Sequence, residues 1–223
     1  MSCTTMPRKI LLRSNTLPYH VTARTNNREL FHCPLVRVWQ VLTWQCYEMS
    51  VIYGARIHAF VLMPNHFHFL VSVPEYDLGQ VMQQFMRSGT KTLNRISGRS
   101  GHVFGGRYHW TVVNSSVYFA HVLKYVYRNP VRAGLCNQVE NFEYSTLQGL
   151  FGIGPLPFPL YYPFEQRGFD LISNDYQEMQ SWLNVPFRTE HERAIRQALR
   201  RTQFEPSKAG WKRAPSELKS RLL

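Results

Sequence analysis

The segment from residue 57 to residue 73 constrains the fold more than any other part of the chain. Ile57 to Met63 (IHAFVLM) and His66 to Val73 (HFHFLVSV) are rich in the β-branched and aromatic residues that favour strands. Pro64 and Asn65 separate them, and a short break of turn-forming residues between two such runs is typical of a β-hairpin. The sequence therefore predicts two paired antiparallel strands here.

Further strands and helices are predicted on both sides of this hairpin. A strand is predicted at Tyr19–Ala23, and Val103–Phe104 with His109–Val113 predict one or two more. Helices are predicted from Pro34 to about Ile52, from Leu78 to about Ile96 and from Ser115 or Ser116 to about Arg128. The third helix is expected to stop near Asn129, because a residue that precedes proline avoids the α conformation. The order β-α-β-β-α-β-α predicts an α+β domain of the split βαβ type, an antiparallel sheet with helices packed on it.

Composition divides the chain into two predicted parts. The α+β domain is expected to span residues 1–150, and residues 151–223 are expected to form a connector followed by a basic helical C-terminal extension. A helix from about Thr189 to Arg201 would place Arg193, Arg196 and Arg200 on one face. Residues 187–223 hold ten Lys or Arg and four Asp or Glu, a net charge of +6. Such a face is either simply solvated or an arm that binds nucleic acid, and we favour the arm.

The charge of the whole chain also favours an anionic partner. The 223 residues carry a formal net charge of +12, and aromatic residues make up 14% of them. Lys and Arg displace counterions from a phosphate backbone, and aromatic rings stack on the exposed bases of single strands. The alternative is that the aromatic residues are core and the charge only aids solubility. Composition by itself therefore indicates, without deciding it, a protein that binds nucleic acid.

Cysteine spacing and hydropathy indicate in which cellular compartment the protein is expected. The four cysteines form no CxxC pair, which fits free thiols in a reducing compartment; they are Cys3, Cys33, Cys46 and Cys136. The first fifteen residues contain no apolar segment of the signal-peptide kind, and no apolar run approaches the ~20 residues of a membrane span. The expectation is a soluble cytoplasmic protein that does not engage a membrane.

Two histidines in the second strand of the hairpin are candidate metal ligands. Residues two apart in a strand point to the same face, so His66 and His68 would present two imidazoles side by side, with Phe67 turned into the core. A His-x-His pair in a strand is also often structural. His58, on the neighbouring strand, is interpreted as a structural histidine.

The third predicted helix carries a second candidate site in the segment YVYRNPVRAG. Tyr125 and Asn129 are four residues apart and share one helix face, whereas Tyr127 points elsewhere. The amide oxygen of Asn129 is a hard ligand suited to Mg²⁺ or Mn²⁺. A tyrosine at helical spacing is, however, more often a core residue.

Together these motifs resemble those of the HUH single-tyrosine transposases, in particular the REP-associated tyrosine transposases with their IS200-like domain. The resemblance covers roughly residues 18 to 150. It rests on YHVT with NNR near the start, on MPNHFH and FGGRY, and on YVYRNPVRAG and YST. No part of the chain after about residue 150 contributes to it.

The resemblance implies a ferredoxin-like fold and a metal-dependent endonuclease that nicks and rejoins single-stranded or hairpin DNA through a covalent 5′-phosphotyrosine. It implies that Tyr125 is the nucleophile, and that Asn129 completes a site for Mg²⁺ or Mn²⁺ with His66 and His68. It implies no small-molecule substrate, and relatives work as monomers or as homodimers.

Several basic residues of the domain are candidates for DNA contacts. Arg107 and Lys124 are expected to contact phosphates. Arg128 and Arg132 are further candidates, although a basic residue near a helix C-terminus can serve only to favour the helix dipole.

Two other functions compete with the transposase. A non-catalytic module that binds single-stranded nucleic acid would leave both motifs as coincidences, and it would bind a hairpin without nicking it. A metal-dependent hydrolase that uses water would turn over without a covalent adduct.

Overall fold

Four strands form one antiparallel sheet in the order β2-β3-β1-β4. The structure is a computed structural model that describes residues 14–161 and 175–207. The strands are β1 (Tyr19–Arg24), β2 (Arg56–Met63), β3 (His66–Ser72) and β4 (His109–Val112). Because β3 lies between β1 and β2 and is antiparallel to both, the sheet has the split βαβ arrangement. The predicted α+β fold class is confirmed, and the predicted hairpin is the pair β2–β3.

Helices cover both faces of the sheet. They are α1 (Leu35–Tyr53), α2 (Leu78–Ser97), α3 (Ser116–Arg132), α4 (Leu147–Leu150), α5 (Tyr176–Asn184) and α6 (Thr189–Ala198). Side-chain caps start α2 and α3, because Asp77 accepts from the N–H of Gly79 and Ser115 accepts from the N–H of Tyr118. The caps fix where each helix begins relative to the strand that precedes it.

Two hydrophobic cores lie on opposite faces of the sheet because strand side chains alternate. On one face, Val21, Phe67 and Phe69 are fully buried in the core that includes residues of α1 and α2. On the other face, Val61 and Leu70 are fully buried in the core that includes residues of α3, α5 and α6. The segment 175–207 thus shares a core with α3.

Helix α3 does not end near Asn129 as predicted, but runs through Pro130 to Arg132. Proline has no N–H, so one backbone hydrogen bond of the helix is lost at this point. Pro130 is buried, and the side chain of Asn129 adds a bond of 2.8 Å from its Nδ2 to the carbonyl of Tyr125. Packing therefore overrides the local preference, and the helix ends at Arg132, two residues before Gly134, whose φ is +70°.

Three other expectations about elements need correction. Val103 and Phe104 form no strand; Phe104 makes an isolated bridge to Thr25, and Asn26 donates to the carbonyl of Val103. Helix α6 ends at Ala198 rather than Arg201, and α5 was not predicted from the sequence. Of the expected connector and basic extension, residues 162–174 and 208–223 lie outside the described residues, as does Cys3.

Both edges of the sheet are covered by other segments. On the β4 edge, the N–H of Val112 donates to Thr202 and the N–H of Phe204 donates to the carbonyl of Val112. On the β2 edge, the N–H of Tyr161 donates to Ile57, and Ser145 bridges to Val61. Because Phe158 is buried against the core, the segment after α4 returns to the sheet.

Within residues 14–161 and 175–207, no helix is both long enough and apolar enough to cross a membrane. Cys33, Cys46 and Cys136 are free thiols, as the sequence predicts.

Candidate active site

His66 and His68 lie on the same face of β3, and their ring centroids are 5.1 Å apart. Phe67, between them, points to the opposite face, where it is fully buried against Phe60 and Phe85. The alternation of the strand thus separates the polar pair from the core, as the sequence predicts. The two imidazoles are adjacent and both face α3.

Tyr125 projects from α3 toward this histidine pair. Its ring centroid lies 5.7 Å from that of His68, with the two rings perpendicular. The side chain is 7% exposed, so it is buried but reaches the surface at a cleft. A helix and a strand that are distant in sequence therefore bring a phenol and two imidazoles to one place.

His20 is a third imidazole at this site, and sequence reasoning gave it no role. Its Nε2 lies 3.0 Å from the Nδ1 of His68, and its ring centroid lies 6.3 Å from that of Tyr125. The register pairs Thr22 with His68, so His20 is a diagonal neighbour on the same face of the sheet. The alternation of YHVTA, with Tyr19, Val21 and Ala23 on the opposite core, was the signal that could have placed it there.

Hydrogen bonds fix the orientation of both histidines of β3. The Nδ1 of His66 lies 2.7 Å from the Oδ1 of Asn65, which can only accept, so this nitrogen donates. The Nδ1 of His68 is paired with His20. In each ring the Nδ1 is engaged, and the Nε2 is the atom left to bind a cation. Asn65 and His20 are therefore the hydrogen-bond partners of the two histidines, which the sequence could not identify.

Burial keeps the three imidazoles neutral at pH 7. It lowers the pKa of His66 to about 4, with smaller contributions from Arg24 and Arg132. Burial also lowers the pKa of His68 well below its usual value, helped by His20 and His66, and it lowers the pKa of His20 to about 3. Neutral imidazole is the form that binds metal ions, so this donor set fits a divalent cation.

Asn129 lies one turn after Tyr125 and is 1% exposed. Its Oδ1 accepts a 3.2 Å hydrogen bond from the Nη2 of Arg132, and Arg132 in turn pairs with Glu192 at 3.5 Å. Among residues 14–161 and 175–207, no group of three or more His, Cys, Asp or Glu is placed to hold a metal ion. A third protein ligand beside the two histidines would therefore be of another type, and the amide oxygen of Asn129 is suited to that role.

Opposing influences act on the Tyr125 phenol. Burial has the largest effect and raises the pKa of Tyr125 overall, whereas the cations of Arg132 and Arg196 oppose it and lower the pKa. The carboxylate of Glu192 raises the pKa and the guanidinium of Arg200 lowers it. The guanidinium of Arg132 also lies 5.8 Å from the centroid of the phenol ring. The arginines thus favour the phenolate, the form needed for nucleophilic attack.

Beside Tyr125 is a cleft of about 230 Å³ built from two parts of the chain. Its lining residues are Tyr125, Arg128, Val131, Arg132, Pro186, Phe187 and Glu192. Residues after 175 therefore form one wall of the candidate active site, which the domain boundary expected at residue 150 would not suggest.

Two of the basic residues expected to contact DNA instead make contacts inside the fold. Lys124 is buried, and its Nζ lies 5.0 Å from the ring centroid of Trp182 and 5.2 Å from that of Phe187. Arg128 donates from Nη1 to the carbonyls of Leu183 and Asn184, at 2.8 and 2.6 Å. The prediction that Lys124 contacts phosphate does not fit its burial. The guanidinium of Arg128 stabilises the C-terminal end of α5.

The other predicted basic residues are on the surface. Arg132 is exposed at the edge of the cleft, and Arg107 is exposed just before β4. Arg193, Arg196 and Arg200 are exposed on or just after α6, as the helical spacing predicts. These five side chains are placed where a polyanion can reach them.

A family model described as "Transposase IS200 like" matches residues 13–129 of this sequence. This chain belongs to the IS200-like transposase family. The match ends at Asn129, so it includes the histidine pair and Tyr125. By family, the chain is a transposase, an enzyme that acts on DNA.

The chain is also similar to solved structures. This transposase is similar to a structure described as a REP-associated tyrosine transposase bound to a REP hairpin, with 19% identity and a TM-score of 0.55. That match covers 70% of this chain and 91% of the other. A putative transposase from Deinococcus radiodurans R1 matches at 16% identity over 55% of this chain and 95% of its own, with a TM-score of 0.37. No protein in the curated set matches this sequence.

Proposed function

We propose that this transposase nicks and rejoins single-stranded DNA, with Tyr125 as the nucleophile and His66 and His68 as metal ligands. One observation carries the proposal: the Tyr125 ring lies 5.7 Å from the ring of His68, which lies 5.1 Å from the ring of His66. The Nδ1 atoms of both imidazoles are held by hydrogen-bond partners, which leaves their Nε2 atoms to bind a cation beside the phenol. A role in packing alone does not account for this arrangement.

In the proposed reaction, the Oη of Tyr125 attacks a backbone phosphorus and forms a P–O bond to the 5′ side of the DNA. The bond from that phosphorus to the 3′ oxygen breaks, the phenol gives up its proton, and the 3′ oxygen leaves as a hydroxyl after taking one up. No phosphoryl group is lost to water, so attack by a 3′ hydroxyl on the phosphotyrosine reverses the step and rejoins the strand. Arg132, 5.8 Å from the ring, is placed to favour the phenolate.

His66, His68 and Asn129 are the residues that would hold the divalent cation, Mg²⁺ or Mn²⁺. When bound, such a cation polarises a phosphate oxygen and stabilises developing negative charge. Two neutral imidazoles and one amide oxygen suit a borderline to hard cation. Arg132 contacts the Oδ1 of Asn129 at 3.2 Å, so coordination by that oxygen would compete with Arg132.

The proposed substrate is single-stranded DNA that carries a hairpin. The net charge of +12 and the exposed arginines of α6 provide attraction to a phosphate backbone. The similar solved structure is described as bound to a REP hairpin, which makes hairpins the first substrates to try.

The decisive experiment is a search for a covalent adduct. Purified protein is incubated with labelled single-stranded hairpin DNA and Mn²⁺ or Mg²⁺, and the products are separated under denaturing conditions. We expect a protein-linked DNA band that Tyr125→Phe abolishes while hairpin binding persists. Tyr118→Phe, on the same helix but packed against Phe204, is the matched control and should form the adduct normally.

The histidines are tested in the same assay. His66→Ala combined with His68→Ala should abolish metal-dependent cutting. Adduct formation at the wild-type level in Tyr125→Phe would refute the assigned nucleophile. Hairpin binding with no nicking in any metal would favour a non-catalytic binding module, and nicking without an adduct would favour a hydrolase that uses water.

A further inference from the structure

A second cleft, of about 550 Å³, lies on the face of the sheet opposite Tyr125. Its lining residues are Tyr19, Asp77, Leu78, Gly79, Gln80, Gln83, Met86, Arg107, Tyr108 and Trp110. They come from β1, from the start of α2, and from β4 with the residues just before it. The volume is within the range of small-molecule sites, about 300–1,000 Å³.

Aromatic rings form the inner part of this cleft. Trp110 contacts Tyr19 edge to face, with ring centroids 5.9 Å apart. Trp110 and Tyr108 are half-buried, so each ring is packed on one side and keeps accessible surface. Such rings are platforms on which a planar heterocycle can stack.

The outer part of the cleft is polar, and it combines the cation of Arg107 with the carboxylate of Asp77, which caps α2. Gln80, Gln83 and Arg107 are exposed at its rim. An amide side chain has both donors and acceptors and can pair with the edge of a base, and a guanidinium binds phosphate. Rings, amides and one cation together match an unpaired nucleotide rather than an apolar side chain.

Arg200 and Arg201 lie where the chain passes the β4 edge of the sheet. The segment after α6 crosses the β4 edge, where Thr111 donates from Oγ1 to the carbonyls of Leu199 and Arg201. The guanidinium of Arg200 lowers the pKa of the Tyr125 phenol, and the carbonyl of Arg200 lies 3.2 Å from the Nε2 of His109 in β4. A DNA strand at Tyr125 could therefore follow positive charge around this edge to Arg107.

We propose that this cleft binds one unpaired base of the DNA substrate, stacked on Trp110 and Tyr108, with its phosphate on Arg107. The proposal rests on the proposed function, because it takes DNA as the partner. Tyr19 and His20 are consecutive residues on opposite faces of β1, so the base site and the histidine cluster are built on neighbouring positions of one strand. A nucleotide held in the cleft would fix which phosphate of the strand reaches Tyr125.

The test is a double-mutant cycle between the protein and the DNA. A hairpin with a single-stranded extension of about ten nucleotides, long enough to reach both faces, is selected from a randomised pool on Tyr125→Phe protein, which does not become covalently attached. Each unpaired nucleotide is then replaced in turn by an abasic residue, and dissociation constants are measured by fluorescence anisotropy.

We expect one abasic position to weaken binding by about 5- to 100-fold, as loss of one stacked base does. Adding Tyr108→Leu should remove that penalty, so that the abasic and intact hairpins then bind within about twofold. Tyr161→Leu, an exposed tyrosine by the opposite edge of the sheet, is the matched control and should leave the penalty intact.

Arg107→Gln provides a second variant that does not depend on the aromatic packing. It should weaken binding of all the hairpins similarly and reduce the slope of log Kd against log salt by about one phosphate contact. Equal penalties at every position in Tyr125→Phe protein with and without Tyr108→Leu would overturn the base site. So would the absence of any abasic penalty.

The adduct assay separates this proposal from the proposed function. An adduct at Tyr125 without coupling to Tyr108 overturns the base site alone. Coupling to Tyr108 without an adduct in any metal overturns the nuclease and leaves the base site standing. Failure to recover any DNA from the pool overturns both.

Discussion

The Nε2 of His20 lies 3.0 Å from the Nδ1 of His68, and the two rings are stacked with centroids 5.2 Å apart. Such a contact between β1 and β3 determines which nitrogen of His68 faces α3. His20 is itself buried, and its Nδ1 has no hydrogen-bond partner among the described residues. We therefore interpret His20 as a positioning residue for His68, the proposed metal ligand.

Replacing His20 should weaken metal binding without removing a ligand. For His20→Ala we expect Mn²⁺ affinity to fall by about 10- to 100-fold, the usual effect of losing an outer partner of a ligating histidine. Titration calorimetry with Mn²⁺ in the absence of DNA measures this directly. His58→Asn is the control, because His58 is an equally buried histidine held by Tyr161 and Ser72 and should leave affinity unchanged.

Arg132 and Glu192 should shift the pH dependence of adduct formation in opposite directions. Arg132 lowers the pKa of Tyr125, so Arg132→Gln should move the pH–rate profile to higher pH. Glu192 raises the same pKa, so Glu192→Gln should move the profile to lower pH. Single-turnover rates between pH 6 and 10 test this, with shifts of about one unit or less expected. Shifts of the same sign in both variants would contradict an electrostatic effect on the phenol.

Arg128 should contribute to stability more than to DNA binding. Its Nη1 donates to two carbonyls at the end of α5, and hydrogen bonds from a charged group are worth about 1.5–3 kcal/mol. Arg128→Gln should therefore lower the free energy of unfolding by an amount of that order. Arg193→Gln, on the exposed face of α6, should leave it unchanged and weaken hairpin binding instead. Urea unfolding and anisotropy at several salt concentrations distinguish the two effects.

Acid should destabilise the fold through its buried histidines. Burial lowers the pKa of His58 to about 4, against 6.5 when exposed. As pH falls from 6.5 toward 4, the unfolded chain takes up a proton that the folded protein does not, so stability is full above pH 6.5 and declines below it. Each such histidine contributes a slope of up to about 1.4 kcal/mol per pH unit. Urea unfolding of His58→Asn should show a smaller decline over this range, whatever its stability at pH 7.

The parts of this protein that the sequence predicts are those set by local patterns. Alternation in β3 placed His66 and His68 together and Phe67 in the core, and the hairpin followed from Pro64 and Asn65. The split βαβ order and the family could also be predicted from the sequence. The His66–His68 pair and the Tyr125–Asn129 pair both lie within the residues that the family model matches.

The parts that could not be predicted depend on contacts between distant segments. Lys124 looks like a surface cation until Trp182 and Phe187 are seen to cover it. The role of His20 depends on its register with β3, and the passage of α3 through Pro130 depends on burial. In each case tertiary packing outweighs what neighbouring residues favour.

The covered edges of the sheet restrict how two copies of this protein can associate. An open edge would allow a second chain to extend the sheet by main-chain pairing. Here residues 202–204 bond to Val112 of β4, and residues 144–146 and 160–161 bond to Ile57, Phe60 and Leu62 of β2, so these backbone groups are already engaged. A dimer that extended the sheet would have to displace one of these segments, and shortened versions of the chain that lack residues 199–207 should aggregate more readily than the full protein.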